Sequence, residues 1–322
     1  MLQKKASRIK SVLKAIVFVM LLLAVLHSVS YLVMPKAEVR LSNTRSQESM
    51  RVFDEPDNSL DVLFFGHSGV YSAISPMELY KEYGFTSYVC SQPAQLPWES
   101  AQWLRALLKV QTPKLVVFEV DHLFYDKSTT VIGNSFKHLV NSAFPVLKNH
   151  TGWKDWFTRR PKRERSANKG FYYNTSVRPY TGKKKLTETE KVYKIGKKHM
   201  DALEQVYKMC EENGIALMLL EIPSATVWDY SRFNAVKYYA QKRGLEFIDL
   251  NQHFEELKFS WKTDTRDKGD HLNYSGALKV CGYIGRHLKE NYNLADRRED
   301  PGYATWKEDL PRYEKLVKGG KK

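Results

Sequence analysis

Between Ala15 and Met34 the chain reads AIVFVMLLLAVLHSVSYLVM, twenty residues without a charged side chain. As a helix, a stretch of ~20 residues crosses the hydrocarbon core of a bilayer. Its polar members, His27, Ser28 and Ser30, sit near the distal end. Ahead of it stand Lys4, Lys5, Arg8, Lys10 and Lys14 with no acidic residue. The positive-inside rule keeps such a flank, residues 1–14, in the cytoplasm and exports the chain beyond Met34. A cleaved signal peptide is the rival reading. Its apolar core runs ~7–15 residues and ends at a small-residue cleavage site. The run here is longer and Tyr31 to Pro35 offers no such site, so an uncleaved single-pass anchor over 15–34 in the cell membrane is expected.

Export changes what the charge can mean. The chain of 322 residues carries a net charge of +15. Such an excess suits nucleic acid, an anionic membrane surface or an anionic polymer, and an extracytoplasmic domain leaves no place for nucleic acid. Part of the excess lies in Arg159-Arg160-Pro161-Lys162-Arg163-Glu164-Arg165 and Lys169, six cations against one anion, interleaved downstream with Phe171, Tyr172, Tyr173 and Tyr180. This is either a solvated face or a contact with lipid head groups or a phosphate-bearing, sugar-containing polymer. Three cysteines, Cys90, Cys210 and Cys281, exclude a disulfide-rich scaffold and a four-thiolate zinc site.

Residues 35–59 are polar and mixed in charge and read as a stalk. From Leu60 short apolar runs alternate with helical patterns: LDVLFFG, then a helix opening at Ser75-Pro76, a strand over 86–90, a helix over 98–110, LVVFEV at 115–120, a helix over 187–213, a strand at 215–222, a helix over 230–243, a strand at 245–250 and a last helix over 275–292. Apolar strands alternating with helices predict an α/β domain with a parallel sheet covered on both faces. The domain is expected over 60–292, with an insertion at about 121–186 and a polar tail at 293–322. Ser75 is expected to cap its helix, with Pro76 in the first turn.

Ligands in such folds bind beyond the C-terminal strand ends. The first strand delivers Gly66-His67-Ser68-Gly69 there, and the loop before the last helix carries Asp267-Lys268-Gly269-Asp270-His271-Leu272-Asn273. A serine needs an adjacent base to act as a nucleophile, and a histidine before the last helix can lie over the first strand. Each stretch alone also reads blandly, as a strand-to-helix turn and as a helix-capping loop. Their joint placement predicts Ser68 as nucleophile and His271 as general base, with Asp267 or Asp270 orienting the ring. No His/Asp/Glu cluster shows metal-ligand spacing, so neither a metal nor another cofactor is expected.

These stretches resemble the SGNH (GDSL-like) hydrolase superfamily. The closest likeness is to its membrane-anchored bacterial branch, which includes the D-alanyl-lipoteichoic acid protein DltD and the alginate O-acetylation proteins. Leu63 to Ser68, Ile74-Ser75-Pro76, Ser91-Gln92-Pro93, Pro113 to Glu119 and Asp270 to Asn273 with Gly276 carry the resemblance. It implies a three-layer α/β/α, flavodoxin-like domain and a Ser-His-Asp acyl-enzyme acting on esters. The substrate would be a cell-envelope glycopolymer, such as a polysaccharide or teichoic-acid-like chain, or an acylated small molecule. A membrane-bound O-acyltransferase is the implied partner. Two departures stand out. The family often places its aspartate three residues before the histidine, where this chain has Lys268, and its oxyanion asparagine is not plainly present. Ser91 and Gln92, with Gly69, are the candidate oxyanion donors, and His67 is a candidate substrate contact. The departures also motivate a second reading, a binding or assembly protein that keeps the fold without efficient chemistry.

Overall fold

The computed structural model describes residues 2–33, 48–125, 165–182 and 186–319. The chain divides into two units. The described part of the first is one helix, α1 (Leu2–Val33). Its segment Lys10–Val29 has a mean hydropathy of 2.5 and is long and apolar enough to cross a membrane.

The second unit alternates strands and helices. β1 (Val62–Gly66), α2 (Ser68–Ala73), α3 (Pro76–Tyr83), β2 (Ser87–Ser91), α4 (Pro97–Leu107) and β3 (Leu115–Glu119) precede the insertion. α5 (Lys197–Glu212), β4 (Ala216–Glu221), α6 (Tyr230–Arg243), β5 (Glu246–Asp249), α7 (Tyr274–Asn291) and α8 (Ala304–Gly319) come after it. The strands form one parallel sheet in the order β2-β1-β3-β4-β5, the flavodoxin-like arrangement.

Successive strand side chains point to opposite faces, and both faces are covered. Val62, Phe64, Val117 and Leu220 enter a core with Leu79 of α3 and Val280, Ile284 and Leu288 of α7. On the other face Phe65 meets Trp103 of α4 edge to face at 6.4 Å. α4 packs on α5, and α6 joins α5 through Arg243 and Glu204. Covering both faces is why the strands read as continuous apolar runs rather than alternating ones.

The exposed ladder of β2 is covered by other chain segments. Val89 N–H donates to Lys169 O at 3.0 Å, and the Ser49 hydroxyl to Ser91 O at 2.7 Å. The residues nearest the expected stalk boundary therefore belong to the domain: Ser49 and Val52 are fully buried. Residues 34–47 lie outside the described residues.

The segment expected as a polar tail is α8, docked on α3. Trp306 and Tyr313 are fully buried. Trp306 lies 5.3 Å from the Tyr80 ring. Tyr313 bonds the Ser75 hydroxyl at 2.9 Å, so Ser75 sits at the start of α3 as expected but makes no side-chain cap. Spaced aromatics anchor a helix whose remaining surface is charged, and that is why composition alone suggests a tail.

Lys169, expected on a basic surface, is fully buried. Its ammonium donates to Glu55 at 2.7 and 2.9 Å and to Asp309 at 2.7 Å. Arg165 is also paired, with Glu308 and Asp309. Residues 159–164 and the histidine at position 150 lie outside the described residues.

Candidate active site

The C-terminal ends of β1, β3 and β4 open into one cleft, which Ser68 and His271 both line. Gly66 ends β1. A Cβ there would stand 2.4 Å from Val70 Cγ2 and 2.6 Å from Glu119 Oε2, so only glycine lets the β3 carboxylate approach the turn. Ser68 opens α2, with His67 as the N-cap: His67 Nδ1 accepts the Gly69 N–H at 3.1 Å.

His271 comes from the loop before α7, which is closed by Arg266 N–H to His271 O at 3.1 Å and Asn273 N–H to Asp264 O at 3.0 Å. Asn273 then caps α7, accepting Gly276 N–H at 3.1 Å. Within the loop, Asp267 Oδ2 lies 2.5 Å from His271 Nδ1, and Asp267 Oδ1 accepts the His271 N–H at 2.7 Å. Asp270 Oδ2 stands farther off, 3.3 Å from the same nitrogen. Lys268 (φ 68°) and Gly269 (φ 91°) are consecutive left-handed residues. They tighten the turn so that a carboxylate four positions back returns to the ring, which explains the departure at Lys268. Asp267 is thus the closer orienting carboxylate. With Nδ1 held, Nε2 remains the nitrogen available to a hydroxyl. Ser68 and His271 face the same cleft without a direct hydrogen bond between them among the described residues; such contacts are often long before substrate binds.

Of the predicted oxyanion donors, only Gly69 lines the cleft. Ser91 is fully buried. The Gln92 N–H is engaged by Gln95 Oε1 at 2.9 Å, and the loop brings Ala94 to the cleft in its place. The cause is that Gln95 folds back beneath the β2 end, where its amide also donates to Cys90 O at 3.2 Å and to the Ser100 hydroxyl at 2.7 Å.

His67 is more than a loop residue. Its Nε2 lies 2.9 Å from Asp121 Oδ2 and its backbone N–H donates to Glu119 Oε2 at 3.3 Å. Burial alone would lower its pKa, but Glu119, Asp121 and Asp270 outweigh that and lift it to about 9. An imidazolium cannot accept a hydrogen bond. The Gly69 N–H bond to Nδ1 therefore belongs to the neutral ring, whose Nδ1 lies 3.8 Å from Glu119 Oε1. Burial would raise the Asp121 pKa, yet His67 and Arg232 hold it below the ordinary value, with Arg232 Nη1 at 3.1 Å. His122 is fully buried, and burial keeps its pKa low; as a neutral ring it donates from Nδ1 to Glu119 Oε2 at 3.1 Å.

Glu119 and Glu221, both lining the cleft, had no role in the sequence reading. A signal was present: each is a carboxylate closing an otherwise apolar strand, LVVFE and ALMLLE. With His67, Glu119 and Asp121 form one cluster of mutually close donor atoms, and Asp267, Asp270 and His271 form a second. The sequence reading weighed spacing along the chain and singled out neither group as a metal site. The donors of the first lie 52 and 54 residues apart, beyond the reach of spacing arguments.

No family model matches the chain, and no curated protein matches it. Among solved structures it is similar to a GDSL-like lipase from Bacteroides thetaiotaomicron, at 12% identity and a TM-score of 0.41, covering 77% of this chain and 98% of that one. It is also similar to the lipase/acylhydrolase from Enterococcus faecalis, at 11% identity and a TM-score of 0.40, covering 74% of this chain and 98% of that one.

Proposed function

We propose that the chain is a membrane-anchored, extracytoplasmic serine esterase or O-acyltransferase. The observation that carries this reading is the convergence of Ser68 and the Asp267–His271 pair on one cleft at the C-terminal edge of the sheet. In the proposed cycle His271 Nε2 takes the Ser68 proton as Oγ attacks an acyl carbonyl. Asp267 stabilises the imidazolium, and the Gly69 N–H exchanges His67 Nδ1 for the oxyanion. Collapse expels the alcohol, which takes the proton from His271 and leaves an acyl-serine. Water or a hydroxyl of a cell-envelope glycopolymer then attacks with His271 again as base. Hydrolysis yields the acid and transfer yields a new ester. The apolar helix supports anchoring, and the basic flank before it supports a cytoplasmic N-terminus and an envelope-facing domain that would work beside a membrane acyltransferase.

The second reading, a binding module without efficient chemistry, is favoured by one observation: the amides of Gly69 and Gln92 are both engaged by side chains. One experiment separates the two. The full-length protein in detergent is assayed with p-nitrophenyl acetate beside Ser68→Ala and His271→Ala. The esterase reading expects turnover that each substitution removes; equal rates in all three proteins would leave the binding module.

A further inference from the structure

We propose that His67, Glu119 and Asp121 bind one divalent metal ion within the cleft that Ser68 lines. The proposal stands on donor geometry and cleft charge, independently of the esterase reading; His67 ligates as the neutral ring through Nε2 while Nδ1 keeps the Gly69 N–H, so the metal displaces its proton. One ligand atom from each of the three residues lies within 4.8 Å of the others, close enough to converge on a single ion. The scaffold is stiff: His67 comes directly after β1 and Glu119 ends β3, and these strands are paired in register, Phe65 beside Phe118.

Each carboxylate is tied back through one oxygen and presents the other. Glu119 Oε2 accepts from His122 at 3.1 Å and from the His67 amide at 3.3 Å, while Oε1 faces the His67 ring. Asp121 Oδ1 accepts from Arg232 at 3.1 Å, while Oδ2 faces His67 Nε2. Partners behind the ligating groups orient them for a metal.

The second observation is the charge of the cleft. Its lining holds Glu119, Asp121, Glu221 and Asp270 and no lysine or arginine, in a chain whose net charge is +15. Four carboxylates in a cleft favour a cationic ligand, and an imidazole with two carboxylates suits Mn2+ or Zn2+. Three protein donors leave coordination positions free for water or an acyl oxygen, as in metal sites that keep an open position.

The test uses the full-length protein in detergent, titrated with Mn2+ and followed by electron paramagnetic resonance, with Zn2+ as competitor. One saturable site is expected, with nitrogen hyperfine coupling that His67→Gln removes. Glu119→Gln and Asp121→Asn should each weaken binding roughly tenfold or more, whereas Asp267→Asn leaves it unchanged. Circular dichroism checks that each variant is folded, and the wild-type nitrogen coupling stands even if one is not. No binding at millimolar Mn2+, no nitrogen coupling, displacement by tetramethylammonium but not Zn2+, or loss through Asp267→Asn alone would overturn the proposal. The ester assay reads a different quantity, so either idea can fail without the other.

Discussion

Replacing Lys169 with methionine removes the cation from a fully buried cluster. Met nearly matches the length of the Lys stem, and both are L-residues at φ 48°, so backbone strain cancels in the comparison. The wild-type ammonium makes two contacts to Glu55 and one to Asp309. Asp309 keeps Arg312 at 2.7 Å and Arg165 at 3.3 Å, so the deficit falls on Glu55, a buried carboxylate whose ammonium partner is gone. Breaking a buried pair from one side costs about 3–5 kcal/mol. At roughly 2–4 °C per kcal/mol for a domain of this size, the melting temperature should fall by about 6–20 °C.

The pH dependence separates this cause from simple loss of packing. Burial raises the Glu55 pKa above 4.5 even though Lys169 pulls it down, and without Lys169 it must rise further. A raised carboxyl pKa makes the folded state bind a proton that the unfolded state has released. Stability is therefore lost as pH rises from the unfolded pKa through the folded one. The variant's deficit should be largest near pH 8 and shrink toward pH 5, by about 1.4 kcal/mol for each pH unit between the folded-state Glu55 pKa of the wild type and that of the variant. Guanidinium unfolding followed by circular dichroism at both pH values measures it. A deficit below about 1 kcal/mol, or one equal at both pH values, would refute the assignment of a charge-compensating role to Lys169.

Asp267→Asn should lower kcat for ester turnover by roughly 10³–10⁴, because the amide no longer stabilises the imidazolium, while Asp270→Asn changes it only a few-fold; equal losses would reassign the orienting carboxylate. Gly269→Ala sets a Cβ 2.5 Å from Ala225 Cβ at φ 91° and should cost about 1–3 kcal/mol, with a lower kcat as Asp267 shifts from His271; a wild-type melting curve would contradict the strain argument. Trp306→Ala, at a fully buried position, should cost about 3–5 kcal/mol in chemical denaturation, whereas a dispensable tail would give no change. The native thiols are all buried, so Tyr238→Cys, at a position 66% exposed, should react with a membrane-impermeant maleimide on intact cells; labelling only after lysis would reverse the proposed orientation.

The elements were legible wherever hydrophobic periodicity meets clear punctuation. The span of α6 comes from its pattern and Gly244, and that of α7 from its pattern to within a residue at each end. The five strands come from apolar runs too short for helices. Where the sequence reading failed, the missing information was a partner. Ser91 and Gln92 stand at a strand end as expected, but Gln95 takes the amide. Lys169 reads as surface charge until Glu55 and Asp309 meet it, and α8 reads as polar because it is docked by four buried residues, Trp306, Asp309, Tyr313 and Val317, in a helix otherwise rich in charge.

By itself the sequence determined the apolar N-terminal helix, the α/β alternation and the two strand-end motifs, because each is written in contiguous residues through period, length and turn chemistry. Only the tertiary structure decided which carboxylate reaches His271, which amides remain available beside Ser68, and that Glu119 and Asp121 gather around His67. Those outcomes depend on strand register, on two left-handed residues in one loop and on the absence of a Cβ at Gly66. Each brings together groups that no local pattern relates.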